Sequence, residues 1–242
     1  MPDPRPGVVV CAGAIMRAGH RLGGPGLERG LPVLAEQVDE LLATPLPWPI
    51  VQAGDPVLRT AARPYDSELS DTALSGLVEG MKATMRAASG VGLAAPQIGL
   101  PVRIAVVEDG ARERPGVPEA TLATRGIAPL PFRVLVNPSY TRVGEERAAF
   151  FEGCLSVQGW QAVVSRALRV RLRAHDETGA EVDEELSGWP ARIVQHETDH
   201  LHGILYLDRA ELRSLSTHEA VARRWSQPTP AEAARALGFE LF

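Results

Sequence analysis

No stretch of this chain approaches the ~20 consecutive apolar residues that a membrane-spanning helix needs, so no membrane partner is expected. The longest early apolar run, Val8 to Met16, is flanked by Arg5 and Arg17. It is short for a secretory signal, and no convincing cleavage site follows it. Cysteine is scarce: Cys11 and Cys154 are the two present. Two cysteines make no disulfide framework, so a reducing compartment, the cytoplasm, is expected, with Cys154 a free thiol. Lysine is scarcer still, Lys82 being the sole example, and arginine carries almost all positive charge. That charge is outnumbered, for the net value is −5. A general basic footprint is excluded, and no specific nucleic-acid partner is expected. Internal repeats and low-complexity tracts are lacking as well. What remains is ample for a core: 45% of 242 residues are apolar, which suits one globular domain with extensions.

Residues 1–30 are rich in Gly, Pro and Arg without periodicity and read as a flexible leader. Over 31–43, Leu34, Val38, Leu41 and Leu42 recur at the spacing of an amphipathic helix, which Pro45, Pro47 and Pro49 end. Asp71 is placed to cap a helix whose stripe is Leu74, Leu77, Val78, Met81 and Met85, with Gly90 ending it. Ile104–Val107 and Val134–Val136 read as buried strands, and 109–131, carrying Pro, Gly and charge, as a surface loop. Leu168, Val170 and Leu172 alternate with Arg169, Arg171 and Arg173, the period of a half-buried strand, whose arginines fit a solvated edge. Asp176 to Gly179 reads as a turn. A helix starting near Pro190 runs through His196 and His200 to a stop at Gly203. Beyond 210 the chain is polar and helix-prone, so 211–242 is expected to be a helical tail behind a catalytic domain at 31–210.

That last helix carries His196-Glu197-Thr198-Asp199-His200, an H-E-x-x-H pattern. Residues four apart share a helix face, so both imidazoles can converge on one metal ion, while Glu197 reaches an open coordination position. The bland alternative, two His and a Glu on a solvated face, is opposed by Ile193, Val194 and Leu201, which give the helix a buried side. The third ligand decides the class. A metzincin requires His where Tyr206 stands. A gluzincin requires a downstream Glu, and Glu219 lies at an aminopeptidase-like spacing, although a surface carboxylate is the plainer reading of it.

Glu152-Gly153-Cys154-Leu155-Ser156 offers a thiolate as the other candidate ligand, and Gly153 permits close backbone approach. Alone, Cys154 reads as a small buried hydrophobe. Gly90-Val91-Gly92-Leu93-Ala94-Ala95-Pro96-Gln97 is a small-residue loop ending in an amide that can donate to a developing oxyanion. It lacks the P-loop Lys-Ser/Thr, so phosphate binding is not expected.

Taken in order, G-x-G-x-A-A-x-Q, E-G-C-x-S and H-E-x-D-H-L-x-G resemble the three signature motifs of peptide deformylases. The resemblance covers about residues 30–210, and the surroundings of the second and third motifs are most similar to an organellar-like branch that also occurs in bacteria. It implies an α+β fold, with antiparallel sheets around a central helix bearing His196 and His200. It implies Cys154, His196 and His200 as ligands of one divalent ion, Fe2+ in the cell, with Zn2+, Ni2+ or Co2+ able to substitute. Glu197 would take a proton from water and pass it to the leaving amine. Gln97 and the Leu155 backbone N–H would stabilise the oxyanion. Val91, Gly92 and Gly153 would line the substrate backbone. The implied reaction removes formyl from formyl-Met peptides and nascent chains; a transient ribosome contact through the arginine face of the 168–173 strand is the further partner, weighed against the plainer solvated edge. Two positions depart from the common pattern: Gln158 stands where many bacterial members carry Pro, and Arg192 takes a place near the pocket that is often aliphatic. A member that had become a binding module would lose Glu197 or Gln97, and both are present.

Overall fold

A computed structural model describes residues 33–110 and 118–241. The expected leader over 1–30, with Cys11, lies outside the described residues. The elements are α1 (Leu34–Leu42), α2 (Asp71–Ala87), β1 (Gly92–Ala94), β2 (Ile104–Asp109), α3 (Glu119–Arg125), β3 (Leu130–Arg142), β4 (Arg147–Cys154), β5 (Val157–Ala167), β6 (Arg169–His175), β7 (Glu181–Ser187), α4 (Gly188–Leu201), β8 (Ala210–Thr217), α5 (His218–Arg224) and α6 (Ala231–Leu237). Two antiparallel sheets result, a five-stranded one in the order β1-β2-β3-β6-β7 and a three-stranded one in the order β4-β5-β8. This is the α+β arrangement around a central helix that the motifs imply. Among the described residues no helix is long and apolar enough to cross a membrane.

Helix α4 is central because it is buried all round, from Trp189 to Leu201. Trp189, Ile193, Val194 and Leu201 pack with Ala94, Ala105, Val107, Leu135, Leu172 and Ala174 of the five-stranded sheet. Full burial of each large apolar side chain contributes roughly 1.5–3 kcal/mol. The other face of that sheet offers Leu93, Ile104, Val106, Val134 and Val136 to α1, α2 and Trp48. β2 is thus buried on both faces, which is why it reads as an unbroken apolar run rather than an alternation.

Local differences from the sequence reading have identifiable causes. The cap of α2 is Ser70, whose hydroxyl accepts the Ala73 N–H at 3.2 Å, and Asp71 is the first helical residue. Helix α3 replaces part of the loop expected over 109–131. It is only seven residues long, and long-range contacts hold its C-terminal end: Trp189 N–H donates to the Gly126 carbonyl at 3.0 Å, and Arg125 Nε to the Pro228 carbonyl at 3.1 Å. The arginine strand β6 is not an edge, for it lies between β3 and β7. Arg171 pairs with Asp183 across the strands at 2.6 Å. The segment expected as a helical tail from 211 begins as β8, which pairs with β5 through Trp160↔Thr217 and Val164↔Ala210. Its polar residues mislead because Ser214 is buried, accepting the Val163 N–H on its hydroxyl. Helices α5 and α6 follow, and cover Phe151 and Val163 of the three-stranded sheet with Val221 and Ala233.

Candidate metal centre

Strand parity and helix periodicity bring three side chains to one point. On β4, Phe150, Glu152 and Cys154 alternate to the α4 side, while Phe151 faces the opposite cluster. On α4, Arg192, His196 and His200 stand one turn apart on one line. A register shift between Gly153 and Cys154 re-aims the end of β4 at the helix. Cys154, His196 and His200, all buried, have potential ligand atoms within 4.8 Å of one another. Cys154 Sγ lies 3.2 Å from His200 Nε2, near the spacing of about 3.5 Å that thiolate and imidazole ligands adopt around a tetrahedral ion. The Ser156 N–H (3.4 Å) and Gln97 Nε2 (3.6 Å) both point at the sulfur. His196 gives Nδ1 to Glu152 at 3.1 Å, which leaves Nε2 for an ion and fixes the ring. The residues present therefore fit one divalent cation with N and S preferences. Glu219 is not among them: it is exposed in the first turn of α5 and pairs with Arg223.

Behind the ligands lies a buried ion network. Glu152 receives Arg166 Nε at 2.8 Å and Nη2 at 2.9 Å, and also Arg192 Nη1. Asp199 receives Arg166 Nη1 at 2.6 Å, Arg209 Nε at 2.6 Å and the Tyr140 hydroxyl at 3.1 Å. Burial alone would raise the Glu152 carboxyl, but Arg166 and Arg192 overcome it and hold it well below the usual carboxylate range. Arg192 is pulled down by burial to about 10, against the attraction of Glu152. His196 resists burial because Cys154 and Glu152 adjoin it, and without metal it is pushed up to about 10. His200 moves the other way, lowered by burial and by the charge of His196.

The resemblance puts Arg192 near the substrate pocket. In the structure its guanidinium joins Glu152 and the Val164 carbonyl (3.0 Å), with the rings of Phe150 and Trp189 beside it. Arg166, Asp199 and Tyr206 were not read as parts of the site. Tyr206 stacks on His196, 6.2 Å between ring centroids, and donates its hydroxyl to the Trp160 carbonyl at 3.1 Å. The inward parity of β5 is the signal that could have found Arg166.

The remaining expected residues surround the ligands. Glu197 is buried, one carboxylate oxygen has no protein partner, and burial pushes its pKa up to about 7. Gln97 is held by the Ala94 N–H on its Oε1 at 2.8 Å, which turns Nε2 toward Cys154 and Ser156. Leu155 gives its carbonyl to Gln52 Nε2 at 3.1 Å. Val91 gives its carbonyl to the Glu108 N–H at 2.9 Å, and Gly92 opens β1 opposite Val107. Gly153 stands opposite Gln161. A buried cation with an unpaired carboxyl and an amide donor beside it is suited to hydrolysing a small acyl group.

The chain is similar to known proteins. A family model described as Polypeptide deformylase matches residues 47–215. The chain is 67% identical over 208 residues to "Peptide deformylase 3" of Streptomyces avermitilis, covering 86% of this chain and 91% of that protein. It is 64% identical to "Peptide deformylase 1" of Streptomyces coelicolor over the same length, covering 86% and 94%. Among solved structures, the Met-Ala-Ser-bound class I type b peptide deformylase from Acinetobacter baumannii superposes with a TM-score of 0.60 at 34% identity, covering 67% of this chain and 97% of that one.

Proposed function

The chain belongs to the polypeptide deformylase family and is a metal-dependent hydrolase that removes the formyl group from the N-terminus of nascent polypeptides; on that premise we propose how its residues divide the work. The observation that carries the reading is the convergence of Cys154, His196 and His200 beside the unpaired Glu197 carboxyl. Cys154, His196 and His200 would hold a divalent ion, which would supply an acidified water and a polarised formyl carbonyl. Glu197 accepts the proton of the attacking water and returns it to the departing amine nitrogen, so formate and a free N-terminus leave together. Gln97 Nε2 and the Leu155 N–H donate to the oxyanion that forms at the formyl carbon. With the Val91 carbonyl taken by Glu108, the backbone groups left at Val91 and Gly92 pair with the substrate as an added strand, and Gly153 admits it closely on the other side.

The physiological ion is Fe2+ in this proposal, with Zn2+, Ni2+ or Co2+ able to occupy the same soft donor set. The substrate emerges on the ribosome, so the cytoplasm and a transient ribosome contact belong to the proposal too. Arg171 and Arg173 of β6 are engaged with Asp183, which favours the plainer reading of them as a solvated face. The catalytic domain, expected to end at 210, extends through β8, as its pairing with β5 supports.

Freshly purified, anaerobically handled protein should contain iron and release formate from formyl-Met-Ala while leaving the peptide bond intact. Glu197→Gln should keep its metal and lose on the order of 10²-fold or more in turnover. Free methionine without formate would point to a peptidase, and metal-loaded protein giving no product would point to a binding module. Zinc in place of iron would overturn the choice of ion alone.

A further inference from the structure

We infer that Gly92 is a positioning residue: it lacks a side chain because the Glu197 carboxyl occupies the place where its Cβ would stand. The inference rests on the role proposed for Glu197 in proton transfer. A Cβ built on Gly92 would lie 2.6 Å from Glu197 Cγ, and closer still to Cδ and Oε1. Nothing about the backbone asks for glycine here. Gly92 lies in β1 and is not among the glycines with positive φ. Gly99, at the end of the same loop, is the opposite case: its φ is +86° and a Cβ there would meet nothing within 4 Å. One glycine serves conformation and the other serves a neighbour.

Neither partner can step back. β1 is pinned to β2 through Leu93↔Val106 and Ala94↔Ala105, and the Ala94 N–H is fixed by Gln97 Oε1. Glu197 stands on α4, which is buried on every side between two metal-ligand histidines and the five-stranded sheet. The seat therefore sets one edge of the carboxyl against the β1 backbone. The other oxygen, Oε2, is buried and has no protein partner. A methyl group at position 92 would turn the carboxyl out of this orientation while leaving the substrate-pairing N–H and C=O of residue 92 in place.

That separation makes the test. Gly92→Ala should lower kcat on the order of 10²-fold, the scale of a displaced acid–base group, with KM and metal content near wild type. A raised KM with kcat retained would reduce Gly92 to a substrate-backbone partner and overturn the inference, as would an unchanged kcat. A second measurement does not depend on activity. In Glu197→Ala, the atoms that collide with the new methyl are gone, so adding G92A should cost no Tm and no metal, whereas G92A in the wild-type background lowers Tm. If G92A alone fails to fold, the G92A/E197A pair still decides: it must fold and load metal as E197A does. Equal loss in both backgrounds refutes the seat. Absence of formate from the wild type would instead strike at the deformylase reading and leave the Tm cycle standing.

Discussion

Cys154→Ser should strip most of the metal from the purified protein, because a hydroxyl is a far poorer soft-metal ligand than a thiolate. Glu219→Ala should leave metal content unchanged, since Glu219 lies exposed beside Arg223. Metal analysis showing the reverse would defeat the ligand set. Glu197 gives a prediction about pH. Burial pushes its carboxyl up from an ordinary 4.5 to about 7 in the metal-free fold, so the folded state holds that proton more tightly than the unfolded chain. Stability from this group is full below the unfolded value and is lost as pH rises through the folded one. Metal-free wild type should therefore lose Tm relative to metal-free Glu197→Gln between about pH 4.5 and 7. A difference that stays constant with pH would sink the assignment. Cys154, His196, His200, Glu197 and Gln97 could be picked from the sequence because each sits in a motif of fixed spacing. Arg192 could not be placed: its one-turn offset from His196 was visible, but a buried guanidinium makes sense only once Glu152 on β4 is known to face it.

Elements whose own pattern suffices were legible, and those completed by distant partners were not. β6 shows its alternation outright, and α4 its ligand spacing and its glycine stop. α3 and β8 do not: one is a single short helix joined to Gly126–Trp189 contacts, the other a polar strand that earns its place by burying Ser214 against Val163. The stop of α4 is itself testable. Gly203 has a φ of +73°, and a Cβ there would lie 2.7 Å from the Arg59 carbonyl carbon and oxygen. Gly203→Ala should destabilise the fold by about 1–3 kcal/mol, as left-handed non-glycine residues do when they also collide. Thermal denaturation unchanged from wild type would show that the Arg59 segment yields freely.

At the scale of the molecule, the metal ligands come from both halves of the architecture. Cys154 ends a strand of the three-stranded sheet, while His196 and His200 belong to the helix packed on the five-stranded one. Chelation of the purified protein should therefore lower its Tm, and restoring a divalent ion should raise it again, by mass action on the folded state alone. Equal melting with and without chelator would mean that packing and the Glu152–Arg166–Asp199 network already fix the two sheets.

Seen as a polymer, a chain joined at Cys154 and His196 is no longer linear: an ion between them ties residues 154–196, the whole run from β5 through β7, into a closed ring. In the chain-entropy view, closing a ring of that length costs an unfolded chain about 4 kcal/mol of freedom, a cost the fold has already met when the ion binds. The same centre that would cut a formyl group from other chains would then act on its own as a removable knot, loosened by a chelator where a disulfide would need a reductant.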